Sequence, residues 1–204
     1  LNVVTKLIEA RATVDLADEN GWTALMLAAK KGHLDTVTKL IEASATVDQA
    51  DENGWTALMH AAHDGHLNIV AKLIEASATV DQADKFGQTA LILAAENGHL
   101  NVVTKLIEAG ATVDQSDEKG WTALMYTVML CHLDMIEMLV TANADHTLKN
   151  SDNKTAMDYA KTPDVSQHLQ KCTRDHQYSV LGELPAYQEL FKEIPVCPIS
   201  NMPI

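Results

Sequence analysis

Aromatic side chains are scarce in this chain of 204 residues, which holds three Trp, four Tyr and two Phe. A core of large rings is excluded, and Ala, Leu, Val and Ile must fill it, which favours small, closely packed helices. Cations are also few. Fifteen Lys and Arg face 28 Asp and Glu, for a net charge of -13, which argues against binding a nucleic-acid backbone, whose phosphates need Lys and Arg. No apolar run approaches the ~18 residues of a membrane span, and no signal peptide opens the chain. Cys131, Cys172 and Cys197 are far apart, odd in number and without a C-x-x-C pair. They read as free thiols in a reducing compartment, so an intracellular, cytoplasmic location is expected.

Catalytic signatures are missing too. There is no G-x-S-x-G, Walker A, H-E-x-x-H or dinucleotide fingerprint, so neither an enzyme nor a cofactor is expected. The acidic pairs of "VDQAD" lack the D-x-[DN]-x-[DN]-G calcium loop and read as hairpin turns with solvated carboxylates.

What the chain has in abundance is repetition. The phrase "DENGWTALM" spans Asp18 to Met26 and returns at Asp51 to Met59, with the near copy "DEKGWTALM" at Asp117 to Met125. Thr23, Thr56, Thr89, Thr122 and Thr155 recur every 33 residues, as do His33, His66, His99 and His132. A fixed period of this size marks a solenoid.

Within one period the residues describe a helix-turn-helix. Asp51-Glu52-Asn53-Gly54 is turn chemistry, with Gly54 free to take positive φ. The Thr56 hydroxyl can cap the helix that begins at Ala57-Leu58-Met59. The small pair Ala61-Ala62 permits close approach, and Gly65 ends the helix. "HLNIVAKLIEA" makes the second helix, with Leu67, Val70, Leu73 and Ile74 on one buried face and Lys72 and Glu75 solvated opposite. No single repeat can bury its face alone, so stacking decides the fold.

These residues resemble ankyrin repeats. The family pattern D-x-x-G-x-T-P-L-H-x-A-A-x-x-G-H is matched by "DENGWTALMLAAKKGH" at Asp18 to His33 and by three later copies. Ala24, Ala57, Ala90 and Ala123 replace the family Pro, and Met or Ile replaces the family His. The resemblance runs from Leu1 to about Cys172 and implies an all-α solenoid whose repeats are joined by hairpin-like loops. Full repeats are expected at 18–50, 51–83, 84–116 and 117–149. A partial repeat at 1–17 begins within a second helix, and with no initiator Met it reads as a fragment of a longer array. A capping repeat is expected at 150–172, followed by a tail at 173–204.

Positions identical in every copy must serve folding, so the recurrent His is read as structural. A metal at His60, His63 and His66 would need ligands beyond Asp64, and none is expected. In ankyrin arrays the hairpin tips and the exposed side of the first helices form a concave surface that binds other proteins. Mapped onto this chain, the tips are Glu19, Asn20 and Trp22; Glu52, Asn53 and Trp55; Lys85, Phe86 and Gln88; Glu118, Lys119 and Trp121. The groove adds Lys30, Lys31, His60, His63, Asp64, Glu96, Asn97 and Tyr126. The Trp residues suit either binding or packing between repeats. The expected function is a monomeric, non-enzymatic module for a protein partner, which acidic tips would favour as basic.

Repeat four departs from the pattern. It reads "TVMLCH" at Thr127 to His132, which places Met129 and Leu130 at polar groove positions and Cys131 at the turn Gly. An apolar patch there needs a partner or a cover. "PAYQELFKEI" at 185–194 reads as an amphipathic tail helix that would fold back on Met135 and Met138. The final "IPVCPISNMPI" reads most simply as a Pro-rich tail, and it also resembles the opening of a U-box domain. The alternative reading is therefore the substrate-recruiting arm of a larger enzyme such as a ubiquitin ligase.

Overall fold

The computed structural model describes residues 2–182. Ten α-helices and one 3-10 turn follow in order. They are α1 (Asn2–Glu9), α2 (Ala24–Lys30), α3 (Leu34–Glu42), α4 (Ala57–His63), α5 (Leu67–Glu75), α6 (Ala90–Glu96), α7 (Leu100–Glu108), α8 (Ala123–Met129), α9 (Leu133–Thr141), the 3-10 turn Ala156–Tyr159, and α10 (Pro163–Gly182). The short first helices α2, α4, α6, α8 and the 3-10 turn stack in one layer. The second helices α1, α3, α5, α7, α9 and α10 stack in the other. This is an all-α helical repeat solenoid closed at its C-terminal end by a helix.

Each first helix starts where a threonine supplies an acceptor. Thr23, Thr56, Thr89 and Thr122 sit in extended backbone, and their hydroxyls accept from the amides of Met26, Met59, Ile92 and Met125. Such a cap contributes about 1 kcal/mol. Met26, Met59, Ile92 and Met125 occupy the slot of the family His and are fully buried. At this position the chain replaces a side-chain hydrogen bond with apolar packing, and burial of each residue stabilises by ~1.5–3 kcal/mol.

The second helices bury Ile69, Val70 and Leu73 in α5, while Leu67 and Ile74 pack half-buried beside them. On the outer side Lys39–Glu42, Lys72–Glu75 and Lys105–Glu108 pair at 2.6, 3.4 and 3.7 Å. These exposed pairs are screened by solvent and add little to the fold.

Repeats are also tied by polar contacts at a fixed offset. Asp15, Asp48 and Asp81 accept from both the amide and the hydroxyl of Thr46, Thr79 and Thr112, each 31 residues on. The recurrent histidines work similarly. His66 Nε2 donates to the Lys30 carbonyl at 3.0 Å and His99 Nε2 to the His63 carbonyl at 2.9 Å. Each ring lies against the turn glycine of the preceding repeat, and a Cβ at Gly65 would come within 2.6 Å of His99.

The C-terminal end differs from expectation. The first helix of repeat five is reduced to the 3-10 turn, at whose start Asp158 Oδ2 accepts from both the amide and the hydroxyl of Thr155. The boundary expected at Cys172 falls inside α10, which runs on to Gly182 and packs against α9. Val165, Leu169 and Cys172, spaced at i, i+4 and i+7, join the core from this helix. Met135 is buried and Met138 half-buried, so α9 is covered by α10. The expected tail helix at 185–194 and the U-box-like residues lie outside the described residues. Among the described residues no helix is long and apolar enough to cross a membrane.

Candidate functional site

The loop before each first helix is a tight tip closed by one aspartate. Asp51 takes the Trp55 carbonyl on its own amide, while its Oδ1 accepts from the amides of Asn53 and Trp55. Asp18, Asp84 and Asp117 repeat this pattern, and Asn150 repeats it with an amide oxygen. Asp51, Asp84 and Asp117 are therefore buried rather than solvated, which corrects the reading of the "VDQAD" carboxylates. The second Asp of each pair, turn chemistry by its place in the sequence, is the one that holds the tip.

Adjacent tips are joined through backbone. The amides of Glu52, Lys85, Glu118 and Ser151 donate to the carbonyls of Asn20, Asn53, Phe86 and Lys119 at 2.9–3.0 Å. Gly54 has φ +88, and its Cα faces the backbone of Asp84 so closely that a Cβ would lie 3.0 Å from it. The result is a continuous row of tips. Their outward side chains Glu19, Asn20, Glu52, Asn53, Lys85, Phe86, Glu118 and Lys119 are all exposed.

The tryptophans are held inside the row. Trp22 lies 4.3 Å from the His60 ring, and Trp121 lies 4.3 Å from Tyr159, in each case a residue of the next repeat. Trp55 sits 5.0 Å from His60, and its Nε1 donates to Asp84 Oδ2. All three indoles are half-buried and pack against the core, so packing between repeats occupies them. The Lys30 ammonium stands over the Trp22 ring at 4.9 Å.

His60 needs a correction. It was expected in the open groove, yet it is 4% exposed, enclosed by Trp22 and Trp55. Its Nε2 makes no hydrogen bond and lies 3.6 Å from Asp51 Oδ2. Burial lowers its pKa to about 4, against the opposing pull of Asp51. A neutral, enclosed imidazole is part of the stack and cannot meet a partner directly.

The remaining groove residues divide by exposure. Lys30, Lys31, Asn97 and Leu130 are exposed, while His63, Asp64, Gln88, Glu96, Tyr126 and Met129 are half-buried. His63 Nδ1 pairs with Asp64 Oδ1 at 2.6 Å, and the Asn97 amide donates to the Leu93 carbonyl. The Tyr126 hydroxyl donates to Asp117 Oδ2 at 2.9 Å, and burial followed by that carboxylate raises its pKa. Leu27 is 49% exposed at the position equivalent to His60 in repeat one, an exposed apolar site that its residue type does not signal in sequence.

Among the described residues no group of His, Cys, Asp and Glu could hold a metal ion. The Cys172 thiol is pushed up by burial and then by Glu137 and Asp175, which disfavours a thiolate.

No curated protein matches the chain. A family model described as ankyrin repeats in three copies matches residues 1–84 and 76–150. Ankyrin repeats are in general protein-interaction modules. With the period, the capped first helices and the bridged tips on the same stretch, the chain belongs to the ankyrin-repeat family.

Proposed function

We propose that the chain is a non-enzymatic binding module that holds a protein partner across its tips and the exposed ends of its first helices. One observation carries this reading. The residues that are identical in the four full repeats, such as Thr56 and Leu58, are buried. The residues that change, Lys31, Asn97 and Leu130 among them, are exposed along one layer. A surface that varies over an invariant scaffold suits recognition.

Charge favours a basic partner. On the second helices three lysines are paired with three glutamates. Among the described residues no ion pair engages Glu19, Glu52 or Glu118 at the tips. Unpaired carboxylates in a row raise the rate of encounter with a cationic surface more than they raise affinity.

The test is affinity capture with quantitative mass spectrometry on three folded forms of the chain. One is unaltered. One carries Lys31→Ala, Asn97→Ala and Leu130→Ser, and one carries Glu42→Ala, Glu75→Ala and Glu108→Ala on the second helices. The reading requires a protein held by the first and third forms and lost by the second. Loss from the third form alone, or no capture by any form, contradicts it.

A further inference from the structure

The row of aromatic contacts is interrupted twice, at Leu93, the counterpart of His60 in the repeat after Trp55, and at Gln88, which precedes Tyr126. Trp22, Trp55 and Trp121 occupy equivalent positions, but repeat three carries Gln88 there. In two of the four pairs the indole lies on a ring of the next repeat, Trp22 on His60 and Trp121 on Tyr159. Tyr126 is the equivalent of these two rings, and it has no indole above it. Among the described residues its one ring contact is with Trp121 of its own repeat, at 5.0 Å.

A notch of about 180 Å³ results, lined by Phe86, Gln88, Asp117, Glu118, Lys119 and Tyr126. It is smaller than the ~300 Å³ at which clefts for drug-sized ligands begin, so it suits a single side chain. Phe86 lines the rim and is 61% exposed, with most of its ring open to solvent. Tyr126, held by its hydrogen bond to Asp117, is fixed as the floor. The carboxylates of Asp117, Glu118 and, beside Tyr126, Glu96 outnumber the Lys119 ammonium.

We propose that this notch receives the guanidinium of an arginine from a basic protein partner, seated where the missing indole would have lain. The proposal rests on the protein-binding reading and names one of its contacts. A guanidinium is flat and weakly hydrated, stacks on aromatic faces and offers several N–H donors to carboxylates. A lysine ammonium keeps its hydration and cannot fill a planar slot, so arginine is the better occupant.

The experiment is an amide NMR titration of the chain with the blocked pentapeptide acetyl-Gly-Gly-Arg-Gly-Gly-amide, and with the same peptide carrying neutral citrulline. Two variants accompany it. Gln88→Trp restores the indole of the other repeats and fills the notch. Phe86→Ala removes an exposed rim residue without touching the core. The expected result is saturable shifts at Phe86, Gln88, Glu118 and Tyr126 with the arginine peptide. Citrulline should bind about tenfold more weakly. Phe86→Ala should weaken the shifts, and Gln88→Trp should abolish them while melting no lower than the unaltered chain. Unchanged binding in Gln88→Trp, equal binding of citrulline, or no shift at these residues would overturn the notch. None of these outcomes alters the capture experiment, which tests the wider binding reading separately.

Discussion

Trp55 of repeat two donates its indole N–H to Asp84 Oδ2 of repeat three across 2.9 Å. Asp84 Oδ1 meanwhile accepts from the amides of Phe86 and Gln88. One carboxylate therefore closes its own tip and anchors the aromatic side chain of its neighbour. Trp55→Phe keeps the ring and loses this bond, at an expected cost of about 1–2 kcal/mol. Trp55→Ala removes the packing as well, and about 3 kcal/mol is expected. Urea unfolding measures both. A loss below 0.5 kcal/mol for the Ala variant, on the order of an ordinary surface change, would mean that the indole is free for a partner rather than fixed in the stack.

Turn glycines separate backbone freedom from close approach. Gly65 and Gly110 both have positive φ, but a Cβ at Gly65 strikes the His99 ring at 2.6 Å while nothing lies within 4 Å of Gly110. Ser44 and Ser77 hold the position of Gly110 in other repeats with φ 64 and 65. Gly110→Ser should therefore change stability by no more than about 1 kcal/mol, and Gly65→Ser should cost at least 2 kcal/mol, roughly the sum of clash and left-handed strain. Equal losses in chemical denaturation would show that the His99 contact relaxes freely.

His60 should make the array sensitive to mild acid. Its pKa of about 4 in the fold lies below the ordinary 6.5, so the unfolded chain takes up the proton first. The contribution is complete above pH 6.5 and is lost as pH falls from there towards 4, by roughly 2–3 kcal/mol. Asp51 and Asp64 act to hold the proton and Lys30 to expel it. Leu93 is the natural residue at this position in repeat three, so His60→Leu is compatible with the stack. Thermal melts of the two forms should diverge below pH 6.5. Parallel melting curves down to pH 4.5 would exclude the buried neutral imidazole.

Cys131 occupies the turn-glycine position of repeat four at φ 63, where Gly32, Gly65 and Gly98 stand in the earlier repeats. Side chains are strained in this left-handed region. Cys131→Gly is expected to stabilise by about 0.5–1 kcal/mol, the left-handed penalty less the added chain entropy of glycine. A lower melting temperature for the variant would indicate that the Cys131 side chain packs against repeat five.

The period revealed most of this fold because each repeat restates the same physical problem. Thr caps, turn glycines and the apolar faces could be placed from residue type and spacing alone. Three features could not. The tip aspartates look solvated in sequence, since their bonding partners are backbone amides created by the turn itself. Asp48 and Asp81 look alike for the same reason, because their threonine partners lie 31 residues away. α10 was passed over because Val165, Leu169 and Cys172 are sparse among polar neighbours, and only α9 beneath them makes that face apolar enough to pack.

Within the candidate site, variation proved a better guide than side-chain type. Lys31, Asn97 and Leu130 vary and are exposed. His60 also varies but points into the stack, since its neighbours Trp22 and Trp55 enclose it. Sequence shows which positions change and cannot show which way each one faces. The notch above Tyr126 was legible in principle, as the single Gln among three tip tryptophans, but its consequence required the ring-on-ring contacts of the neighbouring repeats.

Invariant residues fold the chain, and if the varying exposed ones bind, hydrogen–deuterium exchange of the chain with and without its captured partner will reveal it. Slowed exchange is expected at the tips, residues 19–22, 52–55, 85–88 and 118–121, and at the first-helix ends 30–31, 63–64, 96–97 and 129–130. Slowing confined to the second helices α3, α5 and α7, with the tips unchanged, would contradict it.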